Sequence, residues 1–282
     1  MARKIKDLKD KVIVITGAAG GIGSATARML AREGATIVLT DIRKDPLEAL
    51  AAELADAGAR ALAVVHDVRQ PESWQALTDR VSAELGGLDI LINNAGVVHP
   101  GAAEELPAEK LQQQIQVNLM GTINGCRAAL RVMKPRGGGK IVNVASLGGI
   151  VPMSGEAIYS ATKAAIRGYT LSLAAELHGS PVGVAVVCPD SVDTPQLAYE
   201  LLHDEAVLSF ISKPLQPEQV AKGILKAIRK KKPEILVPGA PGVLIRTVMA
   251  FPRVYYVLYP SLKKTGSKNI RKRRAKRSST NA

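Results

Sequence analysis

The sequence predicts an α/β fold: a doubly wound parallel sheet of about seven strands with helices on both faces. Three observations carry this. Short apolar runs rich in Val and Ile alternate with longer stretches of helical periodicity along most of the chain. A glycine cluster, Gly17, Gly21 and Gly23, joins the first apolar run to the first helical stretch. Residues able to do chemistry recur just after the strands, the edge where open parallel sheets bind ligands.

Composition fits that architecture. The chain has 282 residues, 46% hydrophobic and 22% charged, enough for one large core. Aromatics are only 3%, so the core is built from Ala, Val, Ile and Leu. The two cysteines, Cys126 and Cys188, offer no disulfide framework or metal-ligand spacing, and a reducing, cytoplasmic setting is expected. The opening MARKIKDLKDK lacks the apolar core of a signal peptide. Of the net charge of +13, nine positives and no acid lie in residues 261–282, which leaves the remainder only +4.

The elements follow in order. Residues 12–16 (VIVIT) read as a buried strand, and TGAAGGIG at 16–23 turns into a helix. Glycines there let the backbone approach a pyrophosphate, whose charge the helix N-terminus favours. Residues 35–40 (ATIVLT) form the second strand, ended by Asp41, where an acid can accept hydrogen bonds from an adenosine ribose. Arg43, two residues on, could instead hold the extra phosphate of NADP. A helix at 46–57 precedes strand 60–65, which ends at His66-Asp67-Val68. Asp67 could reach an adenine amino group or cap the next helix, and His66 reads as structural. Trp74 is a packing residue on helix 71–85, which Gly86-Gly87 terminates.

LDILINNAG at 88–96 reads as a strand running into a turn. The helix expected at 107–134 carries Asn118 in its interior, where a buried amide needs partners. Gly121 and Gly125 suggest that this helix is kinked or closely approached. Strand 140–145 leads to Ser146, and a helix at 157–178 carries Tyr159 and Lys163. Four residues apart, these two share a helix face, and an ammonium beside a phenol is expected to lower its pKa. Strand 182–188 ends at Pro189-Asp190. A helix at 217–232 and a strand at 234–238 complete the seven-strand count.

In order and spacing, the turn Thr16–Gly23 (TGxxxGxG), NNAG at Asn93–Gly96, Asn118, Ser146 and YxxxK at Tyr159–Lys163 resemble the short-chain dehydrogenase/reductase family over roughly residues 8–238. The resemblance implies a Rossmann-like sheet and hydride transfer between a nicotinamide cofactor and an alcohol or carbonyl. It implies that Ser146 binds the substrate oxygen and Tyr159 gives or takes the proton. Lys163 would bind the nicotinamide ribose and lower the Tyr159 pKa, and Asn118 would hold a water linking Lys163 to solvent. Cofactor contacts are expected from Thr16, Gly17, Gly21, Ile22, Gly23, Asp41, Asp67, Val68, Asn94, Ala95, Gly96, Tyr159, Lys163, Pro189, Val192 and Thr194, with no metal. Asp41 favours NAD, with NADP as the alternative. One departure is Asp190, where the family usually has Gly after Pro189. Asp lacks glycine's freedom at positive φ, so a different loop path is expected. The family also implies a homodimer or homotetramer.

The resemblance implies that residues 195–215 close over the substrate as a lid, and their apolar side chains point to an apolar alcohol or ketone: steroid-, retinoid- or lipid-like. The competing reading is that these residues pack the lid onto the body. The catalytic and cofactor-binding domain is expected at 1–242, with an apolar, polybasic segment at 243–282. Pro252 should kink or end a helix there. Three roles compete for this segment: peripheral contact with an anionic membrane, packing on the body or a partner, and nonspecific nucleic-acid contact. No nucleic-acid motif supports the last. Two other functions stand beside an NAD-dependent dehydrogenase: an NADP-dependent reductase of a long-chain keto lipid, and a non-catalytic nucleotide-binding scaffold. Ser146, Tyr159 and Lys163 argue against the scaffold.

Overall fold

The computed structural model of the chain describes residues 5–280. Strands β1 (Val12–Thr16), β2 (Thr36–Asp41), β3 (Ala61–Val65), β4 (Ile90–Asn93), β5 (Gly139–Val144), β6 (Val182–Pro189) and β7 (Glu234–Val237) form one sheet in the order β3-β2-β1-β4-β5-β6-β7. Every neighbouring pair is parallel. Parallel strands need crossovers, and each is a helix: α1 (Gly21–Arg32), α2 (Lys44–Asp56), α3 (Pro71–Leu85), α4 (Ala108–Gln114) continuing into α5 (Gly121–Met133), α6 (Ala157–Glu176) and α8 (Pro217–Arg229). The short α7 (Pro195–Glu200) lies between β6 and α8.

Strand residues alternate between two buried layers. Ile13, Ile15 and Ile92 pack with Leu30, Leu47 and Ile224 from α1, α2 and α8. Val12, Val14 and Leu91 pack with Trp74, Cys126 and Leu173 from α3, α5 and α6. Strands covered on both faces must be apolar on both, which is why β1 reads as an unbroken hydrophobic run. The order reverses between β1 and β4, which opens a crevice at their carboxyl ends.

The long helix expected at 107–134 is interrupted. Residues Ile115–Met120 form a π-helical turn centred on Asn118. The cause lies in what each side of the turn must reach. A Cβ on Gly121 would come within 2.7 Å of Val68 Cγ2, so α5 is pressed against the end of β3. Asn118, meanwhile, must face Val97 on the opposite wall. One extra residue in the turn lets both contacts coexist.

The C-terminal segment forms two helices, α9 (Gly239–Val248) and α10 (Pro252–Thr280). Pro252 opens the second helix, where its missing N–H costs nothing. α9 begins before residue 242 and runs past it. No helix is long and apolar enough to cross a membrane among the described residues.

Candidate active site

The glycine turn after β1 is a cradle whose backbone is approached closely from several sides. Gly17 has φ +62°, and a Cβ there would come 2.8 Å from Ala95 Cα. A Cβ on Gly21 would lie 2.6 Å from Thr194 Cγ2, and one on Gly23 would lie 2.8 Å from Ala18 Cα. The Thr16 hydroxyl accepts hydrogen bonds from the amides of both Asn94 and Ala95, each 3.0 Å. The Asn94 amide donates to the carbonyls of Thr16 and Gly17 at 3.0 and 3.2 Å. The NNAG turn is thereby stapled to the glycine turn. Ile22 follows at the start of α1, in the wall of the crevice.

Asp41, at the tip of β2, is buried and accepts from the Ala19 amide at 3.2 Å. Arg43 curls back onto it, with both guanidinium contacts at 3.1 Å. Asp67 pairs with Arg69 at 2.6 Å, which holds its carboxylate below the usual range, and Val68 is buried beside Gly121. His66 is buried against Trp74 and shares a 2.6 Å hydrogen bond with Ser73. Burial pushes its pKa down to about 4, so it is neutral at pH 7 and structural.

At the carboxyl ends of β4, β5 and β6 lies a cavity of about 440 Å³. Ser146, Tyr159 and Lys163 line it together with Asn94, Gly96, Pro189, Val192 and Thr194. Thr16, Gly17, Gly21, Gly23, Ala95, Asp41, Asp67 and Val68 do not line this cavity and belong to the cradle and the sheet edge beyond it. Ser146 follows β5, and its hydroxyl accepts from the Gly148 amide at 3.0 Å. Ser146, Gln196 and Tyr159 line the cavity together, and the Ser146 and Gln196 side chains each act to lower the Tyr159 pKa. Lys163 is buried, donates to the Val144 carbonyl at 3.1 Å and stands 5.6 Å from the centre of the Tyr159 ring. Burial lowers its pKa to about 8.

Asn118 is wholly buried, and its side chain is fully used. It accepts from the Val97 amide at 2.8 Å and donates to the Val97 carbonyl at 2.9 Å and to Thr162 at 3.1 Å. It therefore clamps the segment after NNAG to α6, one residue before Lys163. Beneath it, a buried ladder runs from Asn93 to Asn143 and on to Thr170, each step 2.9 Å, tying β4, β5 and α6 together.

Two expectations are corrected. The Tyr159 pKa is not lowered by Lys163 in the chain itself. It is raised well above the ordinary range by burial first, then by the nearby charges of Glu200 and Glu156, against the pull of Ser146 and Gln196. These two acids were missed in sequence. Both are buried, both line the cavity, and burial raises both their pKa values, with Glu200 adding repulsion on Glu156. Ser209 donates to Glu156 at 3.3 Å, and Gln196 donates to Glu200 at 3.1 Å. The available signals were the placement of Glu156 three before Tyr159 and of Glu200 between Leu197 and Leu201, both on faces that must point inward.

The second correction concerns Asp190. The only non-glycine residue with positive φ among the described residues is Asp10, so Asp190 needs none of glycine's freedom. Its amide continues the β6–β7 pairing through Val237, and its carboxylate accepts from the Ser191 amide at 2.8 Å and the Ser212 hydroxyl at 3.2 Å. Thr194 caps α7, accepting from the Leu197 amide.

The cradle fits a dinucleotide: Gly17, Gly21 and Gly23 leave the backbone of the turn without side chains of its own, and an acid stands at the end of β2. The family model for short chain dehydrogenases matches residues 11–205, and the chain belongs to that family. A short-chain dehydrogenase/reductase from Burkholderia phymatum in complex with NAD superposes with a TM-score of 0.79 at 29% identity, covering 90% of this chain and 97% of its own. A cis-4-hydroxycyclohexanecarboxylate dehydrogenase from Sinomonas cyclohexanicum is 40% identical over 219 residues, 76% of this chain and 88% of its own. A 3-alpha-(or 20-beta)-hydroxysteroid dehydrogenase from Mycobacterium tuberculosis is 40% identical over 186 residues, 66% of this chain and 70% of its own. "Probable oxidoreductase EphD" of the same species is 39% identical over 246 residues, 82% of this chain, but the chain spans only 41% of that protein's length.

Proposed function

We propose that this short-chain dehydrogenase interconverts an apolar secondary alcohol and its ketone, using NAD, with Tyr159 as the acid–base group. One observation carries the reading: Ser146, Tyr159 and Lys163 meet in a single, largely apolar cavity that abuts the glycine cradle. Bound in the cradle, a nicotinamide would supply or accept the hydride. Ser146 orients the reacting oxygen through its hydroxyl. Tyr159 gives its hydroxyl proton to that oxygen in reduction and takes it back in oxidation. Lys163, buried beside the Tyr159 ring, would hold the nicotinamide ribose. Asn118 holds the wall against which Lys163 rests.

Asp41 supports NAD over NADP. It is buried at the ribose end of the cradle, and Arg43 is already engaged in neutralising it. The relatives named for a ring alcohol and a hydroxysteroid support an alicyclic substrate. So does the cavity wall, where Leu197, Leu208, Val248 and Met249 supply apolar surface. Assembly as a homodimer or homotetramer follows from the family and is checked by light scattering. The reading is tested by following reduced-cofactor absorbance over a panel of alicyclic and long-chain secondary alcohols and ketones. Turnover of at least one apolar member with NAD, at higher catalytic efficiency than with NADP, is expected. Turnover confined to small polar substrates would overturn the substrate class, and a preference for NADP would overturn the cofactor.

A further inference from the structure

The described residues expose ten large hydrophobic side chains, and seven of them fall between Val243 and Leu258. The most exposed are Val257 at 79%, Phe251 and Tyr256 at 66% and Leu244 at 65%. Patches this concentrated on a soluble surface mark something that covers them. They sit where α9 turns into α10, and the same two helices form part of the cavity wall. Leu244 and Leu258 do both, lining the cavity and standing exposed, so they form its rim.

The corner is held to the body at several points. The Tyr255 hydroxyl donates to the Pro152 carbonyl at 2.6 Å, and Tyr259 donates to Ser154 at 2.8 Å. Farther along α10, Asn269 donates to the Phe210 carbonyl at 2.8 Å, and Arg274 reaches the Leu201 carbonyl and Asp204, each at 2.8 Å. Ile270 is buried among Val207, Leu208 and Phe210. The inner face of the segment therefore packs on the body, while its outer apolar face is presented on a fixed frame.

Charge decides what covers that face. From residue 235 to the C-terminus there is no acid and there are eleven Lys and Arg. Glu234, the last acid, is already bonded to Arg167 and Arg246. Arg253, Lys263, Lys264 and Lys268 stand exposed along α10 beside the apolar corner. A second copy docked through this face would set two acid-free basic segments against each other, which like-charge repulsion opposes. Nucleic acid would match the charge but leave the apolar side chains uncovered. An anionic lipid surface matches both, with headgroups for the cations and acyl chains for the apolar corner.

We infer that the α9–α10 corner is a lip that seats on an anionic bilayer and admits apolar substrate from the lipid into the cavity past Leu244 and Leu258. The inference rests on the proposed function for its substrate but not for its binding. The test uses the full chain and two double variants, Phe251→Ser with Val257→Ser, and Lys263→Gln with Lys264→Gln. None of these four residues lines the cavity. Co-sedimentation is measured with vesicles of phosphatidylcholine alone and with added phosphatidylserine. Catalytic efficiency is compared for a water-soluble cyclic alcohol and for a long-chain secondary alcohol dissolved in the same vesicles.

At least tenfold stronger binding to the anionic vesicles is expected, weakened severalfold by added salt and by either double variant. The apolar-corner variant should keep its activity on the soluble alcohol and lose severalfold on the vesicle-dissolved one. Absence of binding to anionic vesicles, or binding unchanged in both variants, would overturn the docking. Normal binding with equal loss on both alcohols would overturn access through the lip. Vesicle binding with no turnover of either alcohol would instead sink the proposed function and leave the docking standing.

Discussion

The two sides of Tyr159 are built by different means. On the cofactor side, the glycine cradle, Thr16 and the NNAG turn meet through contacts that have a backbone atom on at least one side, with separations that a single added methyl group would violate. On the substrate side, Glu156, Glu200, Gln196 and Ser209 meet through side chains, and the wall comes from α7, a short 3-10 turn at Asp204–Phe210 and the two C-terminal helices. Backbone geometry admits few solutions, while side chains can be exchanged one at a time. The difference teaches how one hydride-transfer frame can serve many alcohols: the substrate side can be rebuilt without disturbing the cradle.

The sharpest way to break that division is at the boundary itself. Tyr159→Phe should cut turnover by about 10³, the scale of a lost general acid–base group, while NAD affinity stays within about twofold. Stopped-flow turnover and quenching of protein fluorescence by cofactor measure the two. Loss of cofactor binding would show that the two sides are not separable. Next, Gly17→Ala forces a side chain into a left-handed backbone and onto Ala95, and should destabilise the fold by about 1–3 kcal/mol and weaken NAD binding. Thermal melts with and without NAD check it, and an unchanged melt would show the cradle to be looser than its contacts imply.

Asp41→Asn removes the charge that repels an added phosphate and releases Arg43 from its ion pair. The NADP-to-NAD ratio of catalytic efficiencies should rise by about tenfold, equivalent to about 1.4 kcal/mol. A constant ratio would remove Asp41 from cofactor choice.

Glu200→Gln probes the substrate side and should have the smallest effect at the pH optimum. Alcohol oxidation needs Tyr159 deprotonated, and the negative charge of Glu200 favours its protonated form. Neutralising Glu200 lowers the Tyr159 pKa, so the rising limb of the oxidation rate should move to lower pH. A limb that stays in place, or moves upward, would show that Glu200 does not act on Tyr159.

The sheet was legible because its cause is local. A short β-branched run such as VIVIT reads as a strand covered on both faces, and a glycine cluster gains meaning from lying between strand and helix. Tyr159 and Lys163 were legible not through their spacing alone but through its company: the glycine turn, NNAG, Asn118 and Ser146 in order. The π turn was not, because its cause is a conflict between Asn118 facing Val97 and Gly121 facing Val68, two partners distant in sequence. The raised Tyr159 pKa was hidden because its causes are tertiary: burial first, then Glu200, which lies 41 positions after Tyr159 and is carried on α7. At Asp190 the departure is visible in the residue itself but its consequence is not, since the backbone there does not need a glycine.

The π turn also sets a rule about chain length. Each residue in a helix turns the chain by about 100°, so removing one from Ile115–Met120 would restore a regular helix and rotate α4 against α5 by that angle. The clamp between Asn118 and Val97 and the close seat of Gly121 on Val68 could not both survive the rotation. Substitutions in this segment keep the register and can be absorbed, whereas a one-codon deletion cannot, so the spacing from Asn118 to Gly121 constrains insertions and deletions more tightly than it constrains residue identity.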